Sequence, residues 1–95
     1  MTDQFKDDLQ SALVYYRKLR GDLCVAQIVL DTKKHRVRRG LYAEKESGER
    51  KLTEEQIRSI SMVECEAENK AVAEAQADYD NAKETLEVLK LIASN

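Results

Sequence analysis

The sequence predicts an all-α fold, an antiparallel two-helix hairpin of coiled-coil type that oligomerises through a second apolar face. Its 95 residues contain no proline and only 3 glycines, and 36% of them are charged, a composition typical of long helices. Apolar residues recur at alternating steps of four and three, the spacing of a coiled-coil seam. Two such segments of similar length flank a short polar stretch, so we expect a single domain, residues 1–95, that folds back on itself.

The first helix is predicted over residues 3–46. Thr2 or Asp3 can cap its start, because a short side chain with an oxygen atom accepts a hydrogen bond from a free backbone N–H. Gly21 and Gly40 each weaken a helix by about 1 kcal/mol relative to alanine without necessarily ending it, so continuity through Gly40 is left open. The predicted seam comprises Phe5, Leu9, Ala12, Tyr16, Leu19, Leu23, Ala26, Leu30, Lys33, Val37 and Leu41.

A turn is predicted over residues 47–52 and a second helix over residues 53–93. Gly48 is the strongest stop signal, since polar residues precede and follow it and glycine commonly ends helices. Thr53 and Gln56 have the spacing of a capping box, in which a hydroxyl and an amide side chain satisfy free backbone N–H groups reciprocally.

The second helix carries its own apolar stripe, which begins with a hydrophobic staple between Leu52 and Ile57. Consecutive four-residue steps from Val63 to Tyr79 depart from the strict heptad and predict a locally relaxed supercoil. The predicted stripe comprises Ile57, Ile60, Val63, Ala67, Ala71, Ala75, Tyr79, Ala82, Leu86, Leu89 and Ile92.

The hairpin implies a register between its helices. With the turn at the centre, facing residues have numbers that sum to about 99, which places Tyr16 beside Lys83. Cys24 and Cys65 are staggered by several residues in this register, so a disulfide between them would exceed the usual Cα separation. Both are expected to be buried free thiols.

Two helices cannot cover every apolar side chain, and several of them lie off the predicted seams. We expect these side chains to meet another subunit in a homo-oligomer. The predicted interface comprises Val25, Ile28, Val29, Val72, Val88 and Leu91. The alternative is a three-helix monomer with a break at Gly40.

The densest charge lies in a basic segment, residues 33–39, where five of seven positions are Lys or Arg although the chain has a formal net charge of -2. Residues 33–51 carry a local charge of +5, whereas residues 53–95 carry -6. No acid between Asp31 and Glu44 relieves the repulsion at helical spacing. Separated charge of this kind indicates a polyanionic or acidic partner, although a plain solvated helix face remains the alternative.

Nucleic acid is the polyanion that this pattern suits. Tyr42 lies beside the basic segment, and aromatic side chains next to Lys and Arg hold single strands by stacking on bases. His35 is the only histidine and is expected to belong to the basic face rather than to a metal or catalytic site. The candidate nucleic-acid site comprises Lys33, Lys34, His35, Arg36, Arg38, Arg39, Tyr42, Lys45, Arg50 and Lys51.

Several function classes are not expected. The sequence has no spacing typical of a catalytic triad or a pair of buried carboxylates, no glycine-rich phosphate loop and no zinc spacing, so we predict neither an enzyme nor a cofactor. No apolar run approaches the roughly 20 residues that cross a bilayer, and the first residues are acidic where a secretory signal is basic. A cytoplasmic protein without a membrane partner is expected.

Several short segments together resemble the UvsY-type recombination mediators of T-even phages and related small helical phage proteins. The resemblance extends over residues 14–94. It is carried by residues 14–19 (VYYRKL), Lys33 and Lys34, Leu41 and Tyr42, Ser47 and Gly48, residues 78–89, and residues 92–94.

The resemblance implies a ring-like homo-oligomer that binds single-stranded DNA, helps to remove the single-strand binding protein and loads a RecA-like recombinase. It assigns the role of the family's basic segment to Lys33, Lys34, Arg36, Arg38 and Arg39. Two alternatives stay open: a coiled-coil protein that binds an acidic host or phage protein, and an assembly or chaperone-like factor.

Overall fold

The computed structural model describes residues 2–94, and all of its regular structure is helical. Helix α1 is Asp3–Ser47, α2 is Glu54–Glu64 and α3 is Glu66–Ser94, with no strand in the described range. The all-α prediction is therefore confirmed. The predicted second helix is divided in two at Cys65.

Helix α1 begins where the sequence indicates and runs without a break. The Thr2 hydroxyl accepts a hydrogen bond from the Phe5 backbone N–H at 3.1 Å, which satisfies one of the free donors of the first turn. The helix passes through Gly21 and Gly40 uninterrupted. The alternative of a helix break at Gly40 is therefore wrong.

Gly48 ends α1 because its backbone adopts a conformation that other residues avoid. Its φ is +79°, in the left-handed region that costs L-residues roughly 1–2 kcal/mol. Its N–H donates to the Lys45 carbonyl at 3.3 Å, and the Arg50 N–H donates to the Glu44 carbonyl at 3.4 Å. The final carbonyl groups of the helix thus gain partners as the chain leaves it.

The capping box of α2 forms as predicted. The Gln56 N–H donates to the Thr53 hydroxyl at 3.2 Å, and the Thr53 N–H donates to the Gln56 side-chain oxygen at 2.9 Å. Leu52 and Ile57, on either side of this cap, are both buried. The predicted staple therefore joins the turn to the first turn of α2.

Packing divides the chain into two compact units. In the first unit, residues 2–25 with 73–94, the rings of Tyr16 and Tyr79 stack with centroids 5.2 Å apart and their hydroxyl groups are hydrogen-bonded at 2.9 Å. The predicted partner of Tyr16, Lys83, lies one helical turn further along α3, so the predicted register is wrong here by four residues. The buried core residues of this unit are Leu19, Leu23, Ala82 and Leu86.

In the second unit, residues 26–72, the chain reverses at the turn and α2 packs against the end of α1. Leu41, Leu52 and Ile57 form the buried cluster, with Val37 and Ile60 packed against it. This cluster joins the helix that carries the basic segment to the turn and to α2.

The predicted seam of α1 is confirmed, since every one of its positions is buried or half-buried. The predicted stripe of the second helix is wrong in its middle part and at its last residue, Ile92, which is 55% exposed. Val63 is 70% exposed, and Ala67 and Ala71 are also exposed. The inward positions are Ser61, Cys65, Glu68 and Val72. The apolar pattern misleads here because two of the inward residues are polar.

The two cysteines are free and differ in environment. Cys65 is buried, as expected, whereas Cys24 is exposed, so the prediction of a buried thiol is wrong for Cys24. It lies on α1 directly after the seam residue Leu23, at a position that points away from the packed face. Within residues 2–94, no helix combines the length and the apolarity that crossing a membrane requires.

Candidate nucleic-acid interface

One face of α1 brings together several residues of the predicted site. Arg38, Arg39 and Tyr42 lie three, four and seven residues after His35 along α1, so the four share a face of the helix. They line a common surface depression together with Ala43 and the acidic Glu46. Val37 packs on the opposite side against the buried cluster. The seam therefore fixes the helix so that these side chains face outward.

Four cations of the basic segment have no acidic partner. No ion pair joins Lys34, Arg36, Arg38 or Arg39 to a carboxylate among residues 2–94. Arg36 and Arg39 are exposed, and Lys34 and Arg38 are half-buried. Positive charges that lack an internal partner are available to bind an external anion.

Lys33 differs from its neighbours, because it points inward. Its Nζ lies 2.7 Å from Oε1 of Glu68, and the two side chains are 29% and 20% exposed. This hydrogen bond is the main reason that the pKa of Glu68 is below its ordinary value. Lys33 already has a carboxylate partner in the protein, so we leave it out of the candidate site.

Tyr42 and Lys45 also have an internal partner, the carboxylate of Glu54 at the start of α2. The Tyr42 hydroxyl donates a short hydrogen bond to Oε2, and Lys45 Nζ lies 3.4 Å from Oε1. The hydrogen bond to Glu54 raises the pKa of Tyr42, and the same bond lowers the pKa of Glu54. Tyr42 as a whole residue remains 38% exposed.

The two predicted site residues of the turn lie in different settings. Arg50 is 3.4 Å from Glu44, with both side chains substantially exposed, and such surface pairs contribute little to stability. Lys51 is exposed. Neither residue lines the depression formed by His35, Arg38, Arg39 and Tyr42.

No family model, no curated protein and no solved structure matches this chain. The relation to UvsY-type mediators stays a prediction that rests on the short segments given above. No group of three or more His, Cys, Asp or Glu side chains suited to a metal ion occurs in the described part of the chain.

The predicted oligomer interface is exposed except at one position. Val72 is half-buried, because it belongs to the inward face of α3. Contrary to the prediction, it is not available to a partner subunit. The other five residues are Val25, Ile28, Val29, Val88 and Leu91, and each is more than half exposed. Met62 and Val63 on α2 are exposed as well, at 62% and 70%.

Sequence reasoning missed two acidic residues that bind side chains of the predicted site: Glu68, which binds Lys33, and Glu54, which binds Tyr42 and Lys45. The seam places Lys33 on the inward face, and that was a signal for a buried partner such as Glu68. Glu54 gave a weaker signal: it directly follows the cap residue Thr53, and the hairpin turn brings this position near Tyr42.

Proposed function

We propose that this chain binds single-stranded DNA and acts as a non-enzymatic recombination mediator that assists the loading of a RecA-like recombinase. The observation that carries the proposal is that Arg38 and Arg39 share one face of α1 with Tyr42. Lys34 and Arg36 lie on the two flanks of that face, and none of the four cations forms an ion pair among residues 2–94. Cations bind phosphates whatever the base sequence, and an aromatic ring stacks on any base. Binding without sequence preference suits a mediator.

The proposed active form is an oligomer of helical hairpins in the cytoplasm. Val25, Ile28 and Val29 lie close together on the outer side of α1 and are 60%, 64% and 51% exposed. This grouping supports self-association, because contiguous exposed apolar surface tends to mark a protein contact. An oligomer places several copies of the basic segment along one strand. Each copy then binds at a high effective concentration, so a weak site gives tight overall binding, which would favour displacement of the single-strand binding protein.

The direct test is the triple substitution Arg36→Ala, Arg38→Ala and Arg39→Ala. We expect affinity for a fluorescein-labelled oligothymidylate to fall by at least about tenfold in low salt, because three phosphate contacts are lost. The measurement is fluorescence anisotropy, with circular dichroism to check that helix content is unchanged.

The matched control replaces Lys70, Lys83 and Lys90 with alanine. These lysines are exposed on α3, and either triple substitution changes the formal net charge from -2 to -5. The control is expected to retain most of the affinity, since overall charge alone has a weaker effect than direct contacts. Equal losses in both triple variants, or no loss in the arginine variant, would contradict the proposal.

A second candidate is a protein-binding role, which the exposed Met62 and Val63 on α2 favour. Two adjacent, largely exposed apolar residues are typical of a surface that contacts another protein. In this case the basic segment would bind an acidic protein surface. The wild-type chain would then show no salt-dependent binding to oligothymidylate.

A further inference from the structure

The carboxylate of Glu54 lies at the edge of the cationic face of α1, within the second unit. Both of its oxygen atoms have partners on that helix: the Tyr42 hydroxyl donates to Oε2, and Lys45 Nζ lies 3.4 Å from Oε1. The charge of Arg58, one turn further along α2, also lowers the pKa of Glu54. A phenol and an ammonium group thus contact a single anion, and the charge of a nearby guanidinium group acts on it.

This set of donors is also suited to a phosphate group. Phosphate oxygens accept hydrogen bonds from hydroxyl, ammonium and guanidinium groups, as carboxylate oxygens do. Tyr42 connects the two regions, because it binds Glu54 through its hydroxyl and also lines the depression with His35, Arg38 and Arg39. A strand that follows the basic segment therefore reaches the donors that Glu54 occupies.

We propose that Glu54 is an internal competitor for a backbone phosphate of single-stranded DNA: its carboxylate occupies Tyr42 and Lys45 in the free protein and is displaced when a strand binds. This inference rests on the proposed DNA-binding function and names a residue that limits it. Glu54 also repels any phosphate bound at the neighbouring arginines. The free protein is thereby kept at a lower affinity than its cations alone would give.

The glutamine substitution Glu54→Gln tests the competition. It removes the negative charge and keeps a side chain of the same shape, so Lys45 loses its ion pair and the hydrogen bond from Tyr42 loses its charge assistance. A phosphate then competes for both groups more easily. We expect the Glu54→Gln variant to bind oligothymidylate about threefold to tenfold more tightly than the wild type does at low salt. The slope of log affinity against log salt should steepen by about 0.7, the value for one more contact to a single strand.

The matched control is Glu55→Gln. Glu55 is the next residue in the same helical turn and is exposed, and no hydrogen bond or ion pair of its side chain occurs among residues 2–94. The Glu55→Gln substitution removes the same charge as Glu54→Gln and is expected to change the affinity for oligothymidylate by less than about twofold. In the double variant Glu54→Gln with Lys45→Ala, most of the gain should be lost.

The outcomes separate this inference from the proposed function. If the wild type binds the oligonucleotide and Glu54→Gln binds no more tightly than Glu55→Gln, the competition is disproved and the DNA-binding proposal stands. If neither the wild type nor Glu54→Gln binds at low salt, both fail. A tighter Glu54→Gln variant whose gain persists without Lys45 would also overturn the displacement, because the released ammonium group would then play no part.

Discussion

The contact between Lys33 and Glu68 shows how a single residue can belong to two sequence patterns at once. Lys33 is part of the cationic run, yet it also occupies an inward position of the α1 seam, and the structure places its Nζ 2.7 Å from Glu68. The seam determines the direction of the side chain because packing of α1 fixes its rotation. Periodicity is therefore a better guide than charge density for choosing which cations of the segment are free.

This contact predicts a dependence of stability on pH. The pKa of Glu68 is lowered from its ordinary value of 4.5 by the hydrogen bond from Lys33. A carboxyl group whose pKa is lower in the folded state adds stability above its ordinary pKa, and this stability is lost as the pH falls through the lowered pKa. Glu68→Gln should therefore lower the melting temperature at pH 7, and this effect should shrink progressively as the pH falls below the ordinary pKa of 4.5.

The measurement is thermal unfolding followed by circular dichroism at several pH values between about 2 and 7. The control is Glu74→Gln, which removes an exposed carboxylate of α3 and should leave the melting temperature nearly unchanged across the range. If the Glu68 and Glu74 variants show the same pH profile as the wild type, the contact with Lys33 does not stabilise the folded protein.

Residue-scale details of the packed face were only partly predictable. Local backbone chemistry specified Gly48 and Thr53, because a left-handed turn and a capping box depend on residues close in sequence. Ser61 and Glu68 could not be found in the same way. They are polar residues at inward positions, and a search for apolar residues at helical spacing passes over them.

At the scale of elements, α1 was the most predictable part of the chain and the division between α2 and α3 the least. The α1 seam alternates steps of four and three as far as Val37 and ends with a further step of four to Leu41. Lys33 is its only charged member, so its phase is unambiguous. Cys65 leaves helical geometry, with φ -101° and ψ 13°, although its N–H still donates to the Ser61 carbonyl and its carbonyl accepts from the Asn69 N–H. The sequence contains neither glycine nor proline at this point. Without a local breaker residue, sequence patterns gave no signal for this boundary.

The outer face of α1 makes a prediction about assembly. Ile28 is 64% exposed, and Val25 and Val29 beside it are 60% and 51% exposed. If this face joins subunits, Ile28→Glu should shift the protein toward a monomer of 10.9 kDa, because a charge buried at an interface is strongly unfavourable. Light scattering coupled to size-exclusion chromatography measures the mass.

Gln27→Glu is the matched control, since it adds the same charge at an exposed neighbouring position on another side of α1. It should leave the mass of the wild type unchanged. A wild type that already elutes as a monomer across micromolar concentrations would rule out this face as a subunit contact, whatever the variants show.

At the scale of the whole molecule, the distribution of charge is the feature that most constrains function. Residues 33–51 carry +5 and residues 53–95 carry -6, although the net charge is only -2. Part of this separation is used internally, as Glu54 and Glu68 engage Lys45 and Lys33. Lys34, Arg36, Arg38 and Arg39 of α1 form no ion pair among residues 2–94, and they are the charges that an external polyanion would meet. The sequence predicted the basic segment, and the structure shows which of its cations already have a carboxylate partner.

The most direct test of that account is the affinity of the wild-type chain for a labelled oligothymidylate, measured by fluorescence anisotropy over a range of salt concentrations. Four unpaired cations in contact with a single strand predict that log affinity falls with log salt with a slope of about -3 for each subunit engaged, at about 0.7 per phosphate. Absence of binding at low salt, or an affinity that does not change with salt, would contradict the proposal that the basic segment binds single-stranded DNA.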